Sequence, residues 1–423
     1  MKSLHQFVPT WEPGAIGRHV LGVHQTLVDA GVDAVVWADD IKAGLPPIAR
    51  PTSEFFGGPA TRADAVLLYH TAMGSPLGDQ LLARPEPLVL DHHNLTPPDF
   101  FDPWEPALAE NLAGGRAQVD ALARRAVLGI GDSAFNASEL AAAGCARTAV
   151  VPVFMQLGVA ADPARVAALR GSTTGTRWLF VGRVVPNKAI HDLVAAFAAY
   201  RHGFDPDARL HVVGAPGSAG YSAALMRLVD RLEVAEHCEF TGAVSDDDLA
   251  AHYRAADVFV CVSDHEGFCV PVVEAMAARL PVVAFDTTAV GETIADGGML
   301  LARKSPTLVA AAVHRVVHDA TLREHLLDRG AANPADHIAL IASGPVATIL
   351  VSPSPLTPDD LAALHDLEQR LQFVLLLAPD QAPRDPLLRA LLRAHSIAAL
   401  SRAGDAHGLD TSPPTDDRPF FFQ

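Results

Sequence analysis

Short runs of four or five apolar residues recur along the first three quarters of the chain. Segments whose apolar positions repeat every three or four residues separate them. In the first half the runs fall at 34–37, 65–69, 87–90, 127–130 and 149–153, and 4–8, with His5 and Gln6 among its apolar residues, reads as a first strand before them. A helix enters after a glycine-containing loop at 11–17 and runs to about residue 30, and another spans 105–124. Unbroken apolar runs this short read as strands buried on both faces. Alternation with helices makes the sheet parallel, and such sheets bind ligands at the carboxyl ends of their strands.

The pattern then loosens at 154–176, where Gly158, Pro163, Gly171 and the run Ser172-Thr173-Thr174-Gly175 mark a linker. It resumes with strands at 177–181, 210–213, 239–242, 258–262 and 282–285 and with helices at 307–318 and 322–329. The organisation expected is therefore an α/β domain over 1–158, a second over 176–330, and an atypical segment over 331–423. In that last segment a run at 338–351 is broken by Gly344-Pro345, a helix opens at Thr357-Pro358, and a strand covers 373–377.

With 423 residues the chain has room for two such domains and too many residues for one ordinary core. A net charge of -17 sets it against nucleic acid as a partner, while leaving room for a local basic cleft. Cys145, Cys238, Cys261 and Cys269 show neither disulfide nor zinc spacing, which suits a reducing cytoplasm. The first residues lack the apolar core of a signal peptide, and no run of 18 apolar residues occurs. A soluble protein is expected, with attachment to a membrane surface left open.

The chemistry concentrates at 265–274, read His265-Glu266-Gly267-Phe268-Cys269-Val270-Pro271-Val272-Val273-Glu274. It follows one apolar strand and opens a helix, so unpaired N–H groups and the positive end of the helix dipole converge on the turn. Glu266 lies in the turn and Glu274 deeper in the helix, so that both can face one cleft. Arg183 and Lys188 stand in the turn after the strand at 177–181, following Gly182. Two cations at a strand's carboxyl end call for a negative partner between them. In the first domain Gly14 and Gly17 would let backbone approach a ligand. His70 and the run Asp91-His92-His93-Asn94 end two strands there. The adjacent histidines invite a metal reading, but neighbours in a loop point apart and no further ligand is suitably spaced, so no metal is expected. The run containing Gly214 lacks the Gly-x-Gly-x-x-Gly spacing of a dinucleotide site. Ser245 with Asp248 forms a capping box rather than an ion-binding Asp-x-Asp, and Asp132-Ser133 caps another helix.

Glu266 and Glu274, within this stretch and its continuation Ala275-Met276-Ala277, resemble the double-glutamate signature of family 4 glycosyltransferases, retaining enzymes of the GT-B fold. The resemblance runs from about residue 4 to about residue 330. It implies two Rossmann-like domains facing across a cleft, the second holding a nucleotide-diphosphate sugar. By that resemblance Arg183 and Lys188 hold the diphosphate, Glu266 meets the donor sugar, Glu274 takes the ribose, and His93 with Asn94 meets the transferred sugar or the acceptor. The same resemblance puts Gly14 and Gly17 over the diphosphate. Gly182, Gly214, Gly267, Phe268 and Cys269 line the donor, Val244 lies near the base, and residues 289–293 form a helix entrance close by. It implies no metal and no cofactor, and a glycan, lipid-linked or small-molecule acceptor, met in the cytoplasm or at the inner face of the membrane. The end of the chain, through Arg418-Pro419-Phe420-Phe421-Phe422, is similar to the C-terminal end of spermidine-synthase-like proteins without their cofactor-binding core. Two rivals stand beside this: a non-catalytic transferase relic carrying a foreign tail, and another Rossmann-type nucleotide-dependent enzyme.

Overall fold

The computed structural model describes residues 3–29, 31–58, 64–155, 161–171, 174–330, 338–343, 346–351, 356–371, 373–381, 383 and 385–392. The chain divides into two compact units, Met1–Ala331 and Ala332–Gln423.

The first unit holds two parallel sheets. One comprises β1 (Ser3–Trp11), β2 (Asp33–Ile41), β3 (Ala49–Pro51), β4 (Ala65–Thr71), β5 (Leu88–His92), β6 (Leu128–Gly131) and β7 (Thr148–Val150), in the order β3-β2-β1-β4-β5-β6-β7. The other comprises β8 (Arg177–Val181), β9 (Arg209–Val213), β10 (Cys238–Gly242), β11 (Val258–Cys261), β12 (Val282–Phe285) and β13 (Met299–Leu301), in the order β10-β9-β8-β11-β12-β13. In each lobe the strand order reverses beside the first strand, between β1 and β4 and between β8 and β11. Loops diverge at such a point and leave a crevice.

Each sheet is held by its own core. Phe7, Trp37, Phe55, Leu67 and Tyr69 are buried in the first lobe, and Trp178, Phe180, Phe197, Tyr200 and Phe259 in the second. Burying an aromatic or aliphatic side chain of this size contributes roughly 1.5–3 kcal/mol. Apolar contact also joins the lobes: Leu95, Phe101 and Leu112 pack with Val185, and the Trp104 ring meets Tyr221 edge-on at 5.4 Å.

The expected strands up to β12 are present, and both capping readings hold. Ser245 Oγ accepts the Asp248 N–H at 3.1 Å, and Ser133 Oγ accepts the Asn136 N–H at 3.1 Å. The stretch at 154–176 is not merely a linker, because a helix, Pro163–Arg170, forms within it. Asp162 accepts the Ala164 N–H at 2.9 Å, Pro163 opens the first turn, and Arg165 pairs with Asp248. Gly158, Ser172 and Thr173 lie outside the described residues.

The second unit contains β14 (Ile338–Ser343), β15 (Val346–Val351) and β16 (Val374–Leu377), antiparallel in the order β15-β14-β16, with a helix at Pro358–Leu371. Gly344 and Pro345 and the sequence around Phe420 lie outside the described residues. Among the described residues no helix is long and apolar enough to cross a membrane.

Candidate active site

A cavity of about 320 Å³ opens where the two crevices face each other. The second lobe contributes Gly182, Arg183 and Lys188 from the segment after β8 and residues 265–271 from the turn after β11. The first lobe contributes Ala15, Ile16, His93, Asn94 and Asp132. Arg183 and Lys188, expected beside the Glu266 turn, stand there.

The two cations differ. Lys188 Nζ lies 2.5 Å from Glu266 Oε2, and Glu266 is 6% exposed. Burial works against the Lys188 ammonium, but the Glu266 carboxylate outweighs it and holds Lys188 above the ordinary lysine range. The exposed Arg183 side chain has no hydrogen bond or ion pair among the described residues. One cation is therefore neutralised by the protein, and the other faces the cavity with its charge uncompensated.

Both lobes fix the Glu266 turn. Thr288 Oγ1 accepts the Glu266 N–H at 2.9 Å and donates to the Glu266 carbonyl at 2.7 Å, and Asn187 donates to the His265 carbonyl at 3.2 Å. From the first lobe, Ser133 Oγ donates to the Gly267 carbonyl at 2.7 Å, and Asn94 Oδ1 accepts from His265 Nε2 at 2.7 Å. Burial lowers the His265 pKa, in keeping with a neutral ring donating that bond. Asn94 itself adopts φ 73°, with its amide nitrogen donating to Asn136 Oδ1 at 3.0 Å. A Cβ on Gly267 would sit 2.4 Å from the Asn94 Cβ, so glycine is what lets the lobes meet. Cys269 begins the helix Val270–Ala277 at φ 74°, with its sulfur 3.8 Å from that of Cys261 and both thiols free.

Other expected donor residues lie off the cavity wall. Half-buried Glu274 accepts from the Tyr253 hydroxyl at 2.7 Å, and burial raises its pKa. A Cβ on Gly17 would meet the Glu12 carbonyl oxygen at 2.1 Å and one on Gly214 the Gly182 oxygen at 2.1 Å, so both are required by backbone packing. Gly14 has open space around it, while Ala15 and Ile16 line the cavity between these two glycines. Val244 packs against the core of the second lobe. In the helix Val290–Ile294, Glu292 accepts the Ala134 N–H of the first lobe at 2.7 and 2.9 Å.

The histidines required correction. His92 and His93 do point apart, His92 toward Glu139 at 3.2 Å. His93, however, has ligand-type neighbours that sequence spacing did not reveal: His19 and His70 converge from two other places in the chain on His93 and on Asp91, two residues before it. His70 and Asp91 are register partners on β4 and β5, which sets them side by side on one face of the sheet. His19 Nε2 lies 3.0 Å from Asp91 Oδ2, His70 Nδ1 lies 3.1 Å from His93 Nε2, and His93 Nδ1 lies 3.0 Å from both Asp132 oxygens. No local signal marks His19 or Asp132 as members of this group.

The set has the residue types of a metal site, but its geometry is that of a hydrogen-bonded chain. The His70 and His93 rings are within 4° of parallel with centroids 5.3 Å apart. With the nitrogens 3.1 Å apart, this sets the rings end to end in one plane. An ion about 2.0–2.1 Å from both nitrogens would have to sit well to the side of the axis along which the two rings face each other, off both lone-pair directions.

Two parallel-sheet lobes meeting over a cleft make the GT-B architecture, and solved structures agree. The Anabaena protein HepE in complex with UDP-glucose superposes with a TM-score of 0.59 at 19% identity, covering 78% of this chain and 93% of that one. Sucrose-phosphate synthase from Thermosynechococcus elongatus gives 0.61 at 19% identity, covering 78% and 93%. A family described as "Glycosyl transferases group 1" matches residues 169–332, the second lobe with its cations and the Glu266 turn. Among curated proteins, a D-inositol 3-phosphate glycosyltransferase of Geodermatophilus obscurus is 36% identical over 228 residues, 51% of this chain and 50% of the relative. A GDP-mannose-dependent alpha-(1-6)-phosphatidylinositol monomannoside mannosyltransferase of Mycobacterium tuberculosis is 35% identical over 183 residues, 40% and 46%. The chain thus spans about half the length of these curated relatives.

Proposed function

We propose that this protein is a retaining, metal-independent glycosyltransferase that moves a sugar from a nucleotide-diphosphate donor to a hydroxyl acceptor. The observation carrying the reading is that Arg183, Lys188 and Glu266 line one cavity at the β8/β11 reversal, with the Arg183 charge uncompensated. A diphosphate there would meet both cations and the N-terminus of the helix Val270–Ala277. Preorganised donors aimed at charge developing on a leaving group supply about 3–4 kcal/mol each, which removes the need for a bound ion. Glu266, freed in part from Lys188 as the diphosphate binds, meets the donor sugar, and Glu274, off the cavity wall as the protein stands, takes the ribose once the Tyr253 hydroxyl releases it. The acceptor attacks on the face the leaving group quits, and its hydroxyl proton passes to the departing phosphate oxygen. The acceptor is a glycan, a lipid-linked sugar or a small polyol, and the names of the relatives favour the last two.

The match to the glycosyltransferase family ends at residue 332, where the second compact unit begins. That favours reading 331–423 as an adopted segment and keeps a non-catalytic relic as the second reading. Sugar-nucleotide turnover separates the two. Measurable turnover that falls at least a hundredfold in Glu266→Ala supports the transferase, and equal, negligible rates in both proteins support the relic.

A further inference from the structure

The buried group behind the cavity wall has a defined proton arrangement. His19 Nδ1 accepts the Phe154 N–H at 3.1 Å, so the His19 proton is on Nε2 and is donated to Asp91 Oδ2 at 3.0 Å. His70 Nε2 donates to Gln6 Oε1 at 3.0 Å, which leaves a bare lone pair on His70 Nδ1; Asp91 Oδ2 also lies 3.1 Å from that nitrogen, but well to the side of the line joining it to His93 Nε2, from which it is 3.7 Å away. That lone pair points at His93 Nε2, 3.1 Å away in the same plane. On the other side His93 Nδ1 faces the two Asp132 oxygens at 3.0 Å, and those can only accept. With the Gln6 amide oriented this way both His93 nitrogens face acceptors and each carries a proton, whereas the reversed amide with His70 protonated on Nδ1 would leave His93 neutral. The groups facing His93 are His19 from the helix Ala15–Asp29, His70 from β4, Asp91 from β5 and Asp132 from the turn after β6.

We propose that Asp132 and His70 are positioning residues which hold His93 as a doubly hydrogen-bonded imidazolium on the first-lobe wall of the cavity, so that His93 is a fixed cation and not the group that accepts the acceptor's proton. The inference rests on the transferase reading for what the charge does, but its geometry is independent of substrate. Burial alone would lower the His93 pKa, yet Asp91 and Asp132 outweigh burial and raise it to about 9. Burial lowers His70 to about 4, which keeps it the neutral acceptor. With both nitrogens committed, the acceptor hydroxyl's proton has its route to the departing phosphate.

The test is nitrogen NMR of the full chain labelled in histidine, with the His93 signals assigned by comparison with His93→Asn. In the wild type at pH 8, without substrate, His93 is expected to show two protonated nitrogens. A neutral His93 ring at pH 8 would overturn the proposal. In Asp132→Asn its midpoint is expected to fall by at least one pH unit, and Asp132→Glu should restore most of the shift. An unchanged midpoint in Asp132→Asn also overturns it. If that variant does not fold, His70→Asn, which keeps an acceptor, must leave the His93 signals protonated and the wild-type spectrum decides the rest. On activity, Asp132→Asn should add a falling limb to kcat between pH 7 and 9 with the donor KM within threefold. An NMR result that holds in a protein without transferase activity would sink the function and leave the imidazolium standing.

Discussion

Arg183 and Lys188 share a cavity and a charge but differ in what they leave behind when removed, which gives one comparison two independent outcomes. Arg183→Ala takes away an exposed side chain with no ion pair or hydrogen bond among the described residues. Its cost in stability should stay within about 0.5 kcal/mol, as for an ordinary surface substitution. Lys188→Ala strips the 2.5 Å partner from Glu266, a carboxylate 6% exposed. Breaking a buried pair costs roughly 3–5 kcal/mol. Lys188 itself keeps 22% side-chain exposure and water can enter the cavity, so about 1–3 kcal/mol is the better expectation. In a unit spanning Met1–Ala331, with about 2.1 cal/mol/K of unfolding entropy per residue, each kcal/mol is worth about 1.4 °C, so Tm should fall by about 1–4 °C. In turnover the two should behave alike, each losing about 100–1,000-fold in kcat if it stabilises the departing diphosphate. The assays are differential scanning calorimetry without ligand and initial-rate kinetics with the donor that the wild type uses. Arg183→Ala with wild-type kcat, or Lys188→Ala with wild-type Tm, would refute the reasoning about that residue.

Gly267→Ala should cut kcat/KM by tenfold or more, because its Cβ meets the Asn94 Cβ at 2.4 Å and separates the lobes; small-angle scattering should show a larger radius of gyration. Glu292→Ala removes the acceptor of the Ala134 N–H at the start of the helix Ala134–Ala142, and calorimetry should register a loss of about 0.5–2 kcal/mol. Stability should peak near pH 6.5. His93, raised to about 9, contributes stability fully present below its unfolded pKa near 6.5 and lost as pH climbs toward 9. His70, lowered to about 4, resists the proton that the unfolded chain takes up below 6.5, so stability also falls from there toward pH 4. Each limb has a limiting slope of about 1.4 kcal/mol per pH unit. A scan of Tm against pH checks this, and Asp132→Asn should flatten the alkaline limb alone.

The strands were legible because a parallel sheet buried on both faces leaves unbroken apolar runs, as at Val258–Cys261. The second-lobe part of the site was legible for a related reason. Arg183, Lys188 and Glu266 lie in turns that directly follow β8 and β11, and adjacent parallel strands bring such turns together. The histidine group was not legible, since His19, His70, Asp91 and Asp132 come from different elements and meet only through the β1/β4 reversal and the β4–β5 register. Glu274 illustrates the opposite limit. Its spacing from Glu266 suggested a common cleft, but not the Tyr253 hydroxyl that engages it. The short β3 and β13, of three residues each, carry too little pattern to read, and the helix Pro163–Arg170 was hidden by the glycines and prolines around it.

The claim on which the account turns is that the cavity between the lobes grips a nucleotide sugar through Arg183 and Lys188. Thermal shift against a panel of uridine-, guanosine- and adenosine-diphosphate sugars tests it most directly. At 100 times its dissociation constant a true donor should stabilise the wild type by about 2.7 kcal/mol. That gain should vanish in the double variant Arg183→Ala/Lys188→Ala. No shift with any donor, or the same shift in the double variant, would contradict the account.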